Sequence, residues 1–193
     1  IVKNKGLKKL ISNNLKKKIT YQDIGFNIGP LINSSGRIAK ANDVVELFLT
    51  QNDDKIDKIL NKMNAHNLIR KKIEQENLDL IDLKKYYSKN VIFIYNKKFH
   101  EGVIGILAAK LSKIFNKPCF IMTESHDLLK CSIRSANNVK INKTINKLIV
   151  NKLIISGGGH DEAGGFSAKK ECLSAIEEFL KNEYRTLKTR SYS

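Results

Sequence analysis

Residues 91–123 read VIFIYNKKFHEGVIGILAAKLSKIFNKPCFIMT, and this stretch decides the fold class. The apolar run Val91–Tyr95 is short and β-prone, which predicts a buried strand. From Gly102 to Phe115 the spacing changes. Ile104, Leu107, Ala108 and Leu111 recur on one face of a 3.6-residue period, which predicts a helix. Pro118–Thr123 returns to a strand-like apolar run. Working outward, Leu128–Arg134 reads as another strand, joined to the previous one by a turn at Ser125-His126-Asp127. Ile141–Leu153 reads as a helix, Gly165–Ala168 as a last strand and Lys170–Glu183 as a last helix. Strands alternating with helices predict a compact α/β domain over 89–185, with a basic tail after it at 186–193.

Upstream the pattern is helical. Residues 1–20 read as an amphipathic helix carrying Leu7, Leu10, Ile11 and Leu15, and Thr20 is placed to cap a following short helix through Asp23. Residues 24–37 are rich in Gly, Pro, Asn and Ser and read as a loop. Ala41–Thr50 reads as a short helix. Residues 53–85 then lack glycine and proline altogether. As one helix they would reach roughly 50 Å at about 1.5 Å per residue, a connector between two lobes; the alternative is a helical hairpin broken near His66-Asn67.

At 193 residues and 41% hydrophobic content the chain can bury a real core and is not disordered. It has no apolar run long enough to span a membrane and no signal or transit peptide, so a cytoplasmic protein is expected. It lacks an initiator methionine, from which a longer parent is expected. Cys119, Cys131 and Cys172 are odd in number and widely spaced, without a CxxC pair, and read as reduced thiols. The formal charge of +16 suggests a polyanion, with nucleic acid the first candidate. The competing explanation is a lysine-rich composition used as general surface. Against that background arginine is scarce: Arg37, Arg70, Arg134, Arg185 and Arg190 only. Its planar fork binds phosphate at two points, which an ammonium cannot do.

Four motifs carry chemistry. Gly157-Gly158-Gly159-His160 offers bare backbone that lets an anion approach closely, with His160 as a polar partner. Taken alone the same residues fit a strained turn between helix and strand. In Cys131-Ser132-Ile133-Arg134, alternation puts Ser132 and Arg134 on one face, a phosphate clamp or an ordinary surface pair. Asn33-Ser34-Ser35-Gly36-Arg37 again offers small polar groups ending in arginine. His100 precedes a helix, where it either caps the first turn or meets substrate. His66 and His126 read as surface residues.

Three motifs, Ile28-Gly-Pro-Leu-Ile-Asn-Ser-Ser-Gly-Arg37, Phe99-His-Glu-Gly-Val-Ile-Gly-Ile-Leu-Ala108 and Gly157-Gly-Gly-His-Asp-Glu-Ala-Gly-Gly-Phe-Ser167, occur in the order seen in the RecJ family. The chain resembles these single-strand-specific DNA exonucleases of the DHH phosphoesterase superfamily from about residue 1 to 183. The resemblance implies a two-lobed enzyme. One lobe holds two Mn²⁺ or Mg²⁺ ions on aspartates and histidines, including an Asp-His-His tripeptide. A long helix joins it to a DHH-associated domain that holds the strand. It also implies that residues 1–50 are the last helices of the metal-binding lobe, 51–88 the connector and 89–185 the associated domain. By position, Ser132 and Arg134 correspond to a pocket for the 5′ phosphate, the Gly157–His160 stretch to a substrate-backbone contact and Arg37 to another strand contact, with Asn33 and His100 as substrate or structural residues.

The departures bear on activity. No Asp-His-His tripeptide occurs in the chain, so no catalytic residue and no metal ligand is assigned to it. Leu31 stands where the family carries arginine, Phe99 where it carries tryptophan, and Asp161-Glu162 where it carries Pro-Met. Two carboxylates beside a phosphate site would repel the phosphate. The expected function is therefore the substrate-binding part of a RecJ-like 5′-to-3′ exonuclease acting on single-stranded DNA in repair and recombination. It would be inactive alone, with the metal lobe in a longer chain or on a separate polypeptide. The alternatives are a non-catalytic nucleic-acid-binding module, the remnant of a split gene, or part of a DHH phosphodiesterase acting on short oligoribonucleotides or cyclic dinucleotides. An independent metal hydrolase built on His100, Glu101, His160, Asp161 and Glu162 is disfavoured, because adjacent loop residues seldom point at one ion.

Overall fold

The computed structural model describes residues 3–14, 19–38 and 42–187, and they divide into two units, 1–73 and 74–193. Leu15 and Arg190 lie outside the described residues, as does all of the basic tail beyond residue 187.

In the first unit, helix α1 spans Lys5–Asn14, and a capping box closes the short α2, Tyr21–Asp23. There Asp23 N–H donates to Thr20 Oγ1 at 3.2 Å while Asp23 Oδ2 accepts from Thr20 N–H at 3.0 Å. The chain continues through a π-helical turn, Ile24–Ile28, into α3, Gly29–Ile38, then α4, Asn42–Leu49. The loop expected at 24–37 is thus helical. Burial of Leu31, Ser34 and Ser35 overrides local propensity, and the Ser34 hydroxyl satisfies itself on the Leu31 carbonyl at 2.7 Å. Leu10, Ile28, Leu31, Leu47, Ile56, Ile59, Leu60 and Met63 form the core of this unit. Leu31, the position that departs from the family pattern, is a core residue here.

Helix α5 runs unbroken from Asp53 to Asp79, through His66-Asn67, so the hairpin alternative does not hold. At 27 residues it is about 40 Å long, and it stops short of residue 85. The chain leaves the helix because Leu78, Ile81, Leu83 and Tyr86 pack on the second unit's core. Asp82 then caps a 3₁₀ turn, Leu83–Tyr86, by accepting from Lys84 N–H.

The second unit is a five-stranded sheet in the order β1-β2-β3-β5-β4. Its strands are β1 (Ile92–Tyr95), β2 (Cys119–Ser125), β3 (Leu128–Arg134), β4 (Ser156–Gly159) and β5 (Ala163–Lys169). β1 and β2 are parallel, joined through α6 (Glu101–Phe115); the remaining pairs are antiparallel. His126 and Asp127 take φ of 48° and 62°, the consecutive left-handed pair that a two-residue hairpin turn requires. One face of the sheet packs Phe120, Met122, Leu129, Cys131, Ile133 and Phe166 against α7 (Ile141–Val150) and α8 (Leu173–Glu183). The other face packs Ile92, Ile94, Cys119 and Ile121 against Ile104, Leu107, Ala108 and Leu111 of α6. Cys119 and Cys131 therefore sit on opposite faces, both buried, while Cys172 before α8 is half-buried; all three are free thiols. Burial pushes the Cys119 and Cys131 thiols well above their ordinary range. No described helix is long and apolar enough to cross a membrane.

Candidate functional site

The α6 face of the sheet changes character from β2 to β3. Cα partners across a sheet point their side chains to the same side. The registers therefore place Lys130, Ser132 and Arg134 of β3 on the face that β2 lines with Thr123, Ile121 and Cys119. Further along, β5 contributes Ser167, Gly165 and Ala163, and β4 contributes Ser156 and Gly158. At Ile121 and Cys119 of β2 this face is apolar; on β3 it is cationic or hydroxylic, and on β5 and β4 it carries only small or absent side chains. The row Ser132, Gly165, Gly158 crosses two inter-strand gaps, a floor about 10 Å wide without a side chain past Ser132.

Ser132 and Arg134 converge. A point where a β-carbon on Gly105 of α6 would lie is 3.1 Å from Ser132 Oγ and 4.0 Å from Arg134 Nη2. The Arg134 guanidinium is held from behind by donating through Nη1 to the Ile133 carbonyl at 2.8 Å. Lys130, one step down the same face, donates to Ser167 Oγ at 2.9 Å. Sequence reasoning missed Lys130 and Gly105. Lys130 follows from the same period of two that paired Ser132 with Arg134. Gly105 shows only as a glycine inside an apolar helix, a position that ordinarily costs stability.

The glycine motif is not a turn. Gly157, Gly158 and Gly159 are extended, exposed residues of edge strand β4, and no described glycine has a positive φ. The alternative of a strained turn therefore does not hold. The demand for glycine is steric and differs by position. A β-carbon at Gly157 would lie 2.8 Å from Phe166 Cβ, and one at Gly159 would lie 2.4 Å from the Ala163 carbonyl oxygen. At Gly158 a β-carbon meets nothing within 4 Å. His160 follows the strand, exposed, with its N–H donated to the Ala163 carbonyl at 2.8 Å. Because N–H groups alternate sides along an antiparallel pair, that of Gly159 faces the open sheet edge.

The two acids after His160 have structural work. The carbonyls of Glu162 and Asp161 accept from Ser135 N–H at 2.8 Å and Ile141 N–H at 3.0 Å, tying the β4–β5 turn to the end of β3 and the start of α7. The Asp161 carboxylate pairs with Lys140 at 3.3 Å, which offsets its charge. A groove of about 680 Å³ opens at this end of β3, between Arg134, Lys113 of α6, the 135–140 loop and the 161–163 turn.

His100 is a helix cap. Its Nδ1 accepts from Gly102 N–H at 3.1 Å, leaving the far edge of the ring exposed. In the first unit, Asn33 is exposed and Arg37 half-buried, four residues apart on one face of α3. His66 is not a surface residue: its Nδ1 lies 3.2 Å from the buried Ser35 hydroxyl and 4.0 Å from Asp43 Oδ2. The Ser35 partner is 31 positions away in sequence, beyond any local pattern. Among the described residues no group of three or more His, Cys, Asp or Glu side chains is placed to hold a metal ion. The ligand cluster that the resemblance implies for the metal-binding lobe of a complete enzyme is thus not seen among the described residues.

Comparison with known proteins agrees with this architecture. The single-stranded-DNA-specific exonuclease RecJ of Salmonella typhimurium is 30% identical over 185 residues, covering 90% of this chain and 32% of that protein. RecJ of Escherichia coli is 30% identical over 186 residues, with the same coverage of 90% and 32%. The chain thus spans about a third of the length of the curated relatives it matches. Among solved structures, RecJ from Thermus thermophilus in complex with Mn²⁺ has the same fold, with a TM-score of 0.85 at 21% identity over 95% of this chain and 27% of that one. The model of the DHHA1 domain matches residues 88–187. The α/β unit with its polar sheet face is therefore a DHHA1 domain, and the chain belongs to that family.

Proposed function

We propose that this chain is the substrate-binding part of a RecJ-like exonuclease that degrades single-stranded DNA from the 5′ end in repair and recombination. Ser132 and Arg134 take the terminal 5′ phosphate, Gly157–His160 line the path of the sugar-phosphate backbone, and Arg37 makes a further strand contact. Asn33, on the same face of α3, lies beside that contact. Hydrolysis belongs to a metal-binding lobe in the remainder of a longer chain or on a separate polypeptide, of which residues 1–50 are the final helices. The likeness to RecJ over a third of its length supports this assignment. Three free thiols, two of them buried, suit a reducing cytoplasm.

The observation that carries the reading is the convergence of Ser132 and Arg134 on one point above a floor of bare backbone. A hydroxyl and a guanidinium so placed supply at least two donors to one anion, and charge-assisted bonds of this kind are the strong ones. The floor leaves room for a bulky backbone to lie across β5 and β4. The exposed ring edge of His160 stands at the end of β4, where it can donate to the same backbone.

Binding of single-stranded oligonucleotides with a 5′ phosphate or a 5′ hydroxyl tests the reading. The phosphorylated strand is expected to bind about tenfold tighter or more, a preference that Arg134→Ala removes. Equal affinity for the two ends, unchanged by Arg134→Ala, sinks the assignment and leaves a non-catalytic basic module.

A further inference from the structure

We infer that Gly105 is a specificity-determining residue: its missing side chain is the clearance through which an anion reaches Ser132 and Arg134. The inference rests on the reading of Ser132 and Arg134 as the phosphate clamp and adds helix α6 as its second wall.

Gly105 lies inside α6, flanked by Ile104 and Ile106. Glycine in a helix interior is less stable than alanine, so its presence asks for a steric reason. The other tightly placed glycines of this unit have an internal one. A β-carbon at Gly164 would meet Ile145 Cδ1 at 2.6 Å and the Gly158 carbonyl oxygen at 3.0 Å; one at Gly165 would meet the Cys131 carbonyl oxygen at 2.8 Å. Gly105 is different. Outside the backbone of α6 itself, the three atoms nearest its missing β-carbon are Ser132 Oγ, Arg134 Nη2 and Ser132 Cβ, at 3.1, 4.0 and 4.0 Å. None is backbone and none is core. The closest is a rotatable hydroxyl, so a methyl group can be admitted by a small turn of Ser132. What the methyl would occupy is the space between α6 and the two donors.

This space lies between α6 and β3, and the register puts Gly165 and then Gly158 next to Ser132 on the same face of the sheet. A terminal phosphate monoester, with three unesterified oxygens and no second chain to accommodate, fits such a one-sided slot. With alanine at 105 the slot narrows at the depth where the two donors meet. A strand could still lie on the floor, and the selective loss would be of the end group.

The test uses the 193-residue chain and two single-stranded oligonucleotides differing only in a 5′ phosphate or 5′ hydroxyl, with thermal unfolding measured alongside. Gly105→Ala is expected to fold, with an unchanged or higher unfolding midpoint, and to bind the phosphorylated strand about tenfold more weakly. Its affinity for the hydroxyl-ended strand should not change, whereas general damage would weaken both. Gly25→Ala, whose β-carbon meets nothing within 4 Å in the other unit, is the control and should leave both affinities alone. A folded Gly105→Ala that keeps the full end preference, while Arg134→Ala loses it, overturns the inference and spares the clamp. If Arg134→Ala keeps the preference too, the clamp itself is wrong. Should Gly105→Ala not fold, Ser132→Ala and Gly105→Ala/Ser132→Ala are compared. The double variant removes the atom in closest contact and should lose the preference that Arg134 alone sustains in Ser132→Ala; equal preference in the two overturns the inference.

Discussion

A methyl group at Gly164 would sit 2.6 Å from Ile145 Cδ1, while one at Gly158 would sit in open space. These two residues, six positions apart and similar in the sequence, should respond oppositely to the same substitution. Gly164→Ala crowds Ile145 and Ile141 of α7 and the Gly158 carbonyl, and is expected to cost about 1–3 kcal/mol. Gly158→Ala should stay within about 0.5 kcal/mol of the parent, since it is exposed and unopposed. Denaturant midpoints at constant slope check both; equal losses would mean that β4 does not pair with β5 in the register Gly158 to Gly165. Pairing Ser132 with Arg134 needed only the period of two in β3, and that part of the site was legible in the sequence. Which glycine serves the core and which faces outward was not, because the answer depends on what lies across the sheet. The same holds for Gly105, which is 27 positions from Ser132 and meets it only once α6 is packed.

At the scale of elements, the misread segments are those whose structure is decided by burial or by pairing. The Gly29–Ile38 segment carries the residues of a loop, yet becomes α3 because Leu31, Ser34 and Ser35 are buried together. β4, Ser156–Gly159, has no apolar residue and no alternation; it is a strand because β5 pairs with it. By contrast β1, α6, β2 and β3 have strong periodicity and came within a few residues of their observed bounds. The β4–β5 turn offers a test of its own. The Asp161–Lys140 pair is half exposed on both sides, so its loss should hardly alter stability. Asp161→Asn keeps the carbonyl that receives Ile141 N–H while removing a negative charge beside the proposed strand path. Affinity for single-stranded DNA should rise about two- to threefold at low salt, and the gain should fade above about 0.5 M. Weaker binding instead would mean that the ion pair positions the turn for the strand.

Across the whole molecule the formal charge is +16, and 30 of the 35 basic residues are lysine. Charge of this kind attracts any polyanion and makes binding fall steeply with salt. The useful quantity is the slope. Each neutralised phosphate of a single strand adds about −0.7 to the dependence of log affinity on log salt. Arg134→Ala should therefore reduce the slope by about 0.7 for a 5′-phosphorylated strand and leave it unaltered for a 5′-hydroxyl strand. A reduction with both strands would make Arg134 a general surface cation. The placement of the cysteines has a separate consequence for anyone handling the protein. Cys119 lies beneath α6 and Cys131 beneath α7 and α8, each held as an un-ionised, buried thiol. An alkylating reagent finds Cys172 in the folded chain but reaches the other two only when a layer lifts. Each face of the sheet thus carries its own chemical clock, one timing the loosening of the wall beside the proposed clamp and the other timing the opening of the core behind it.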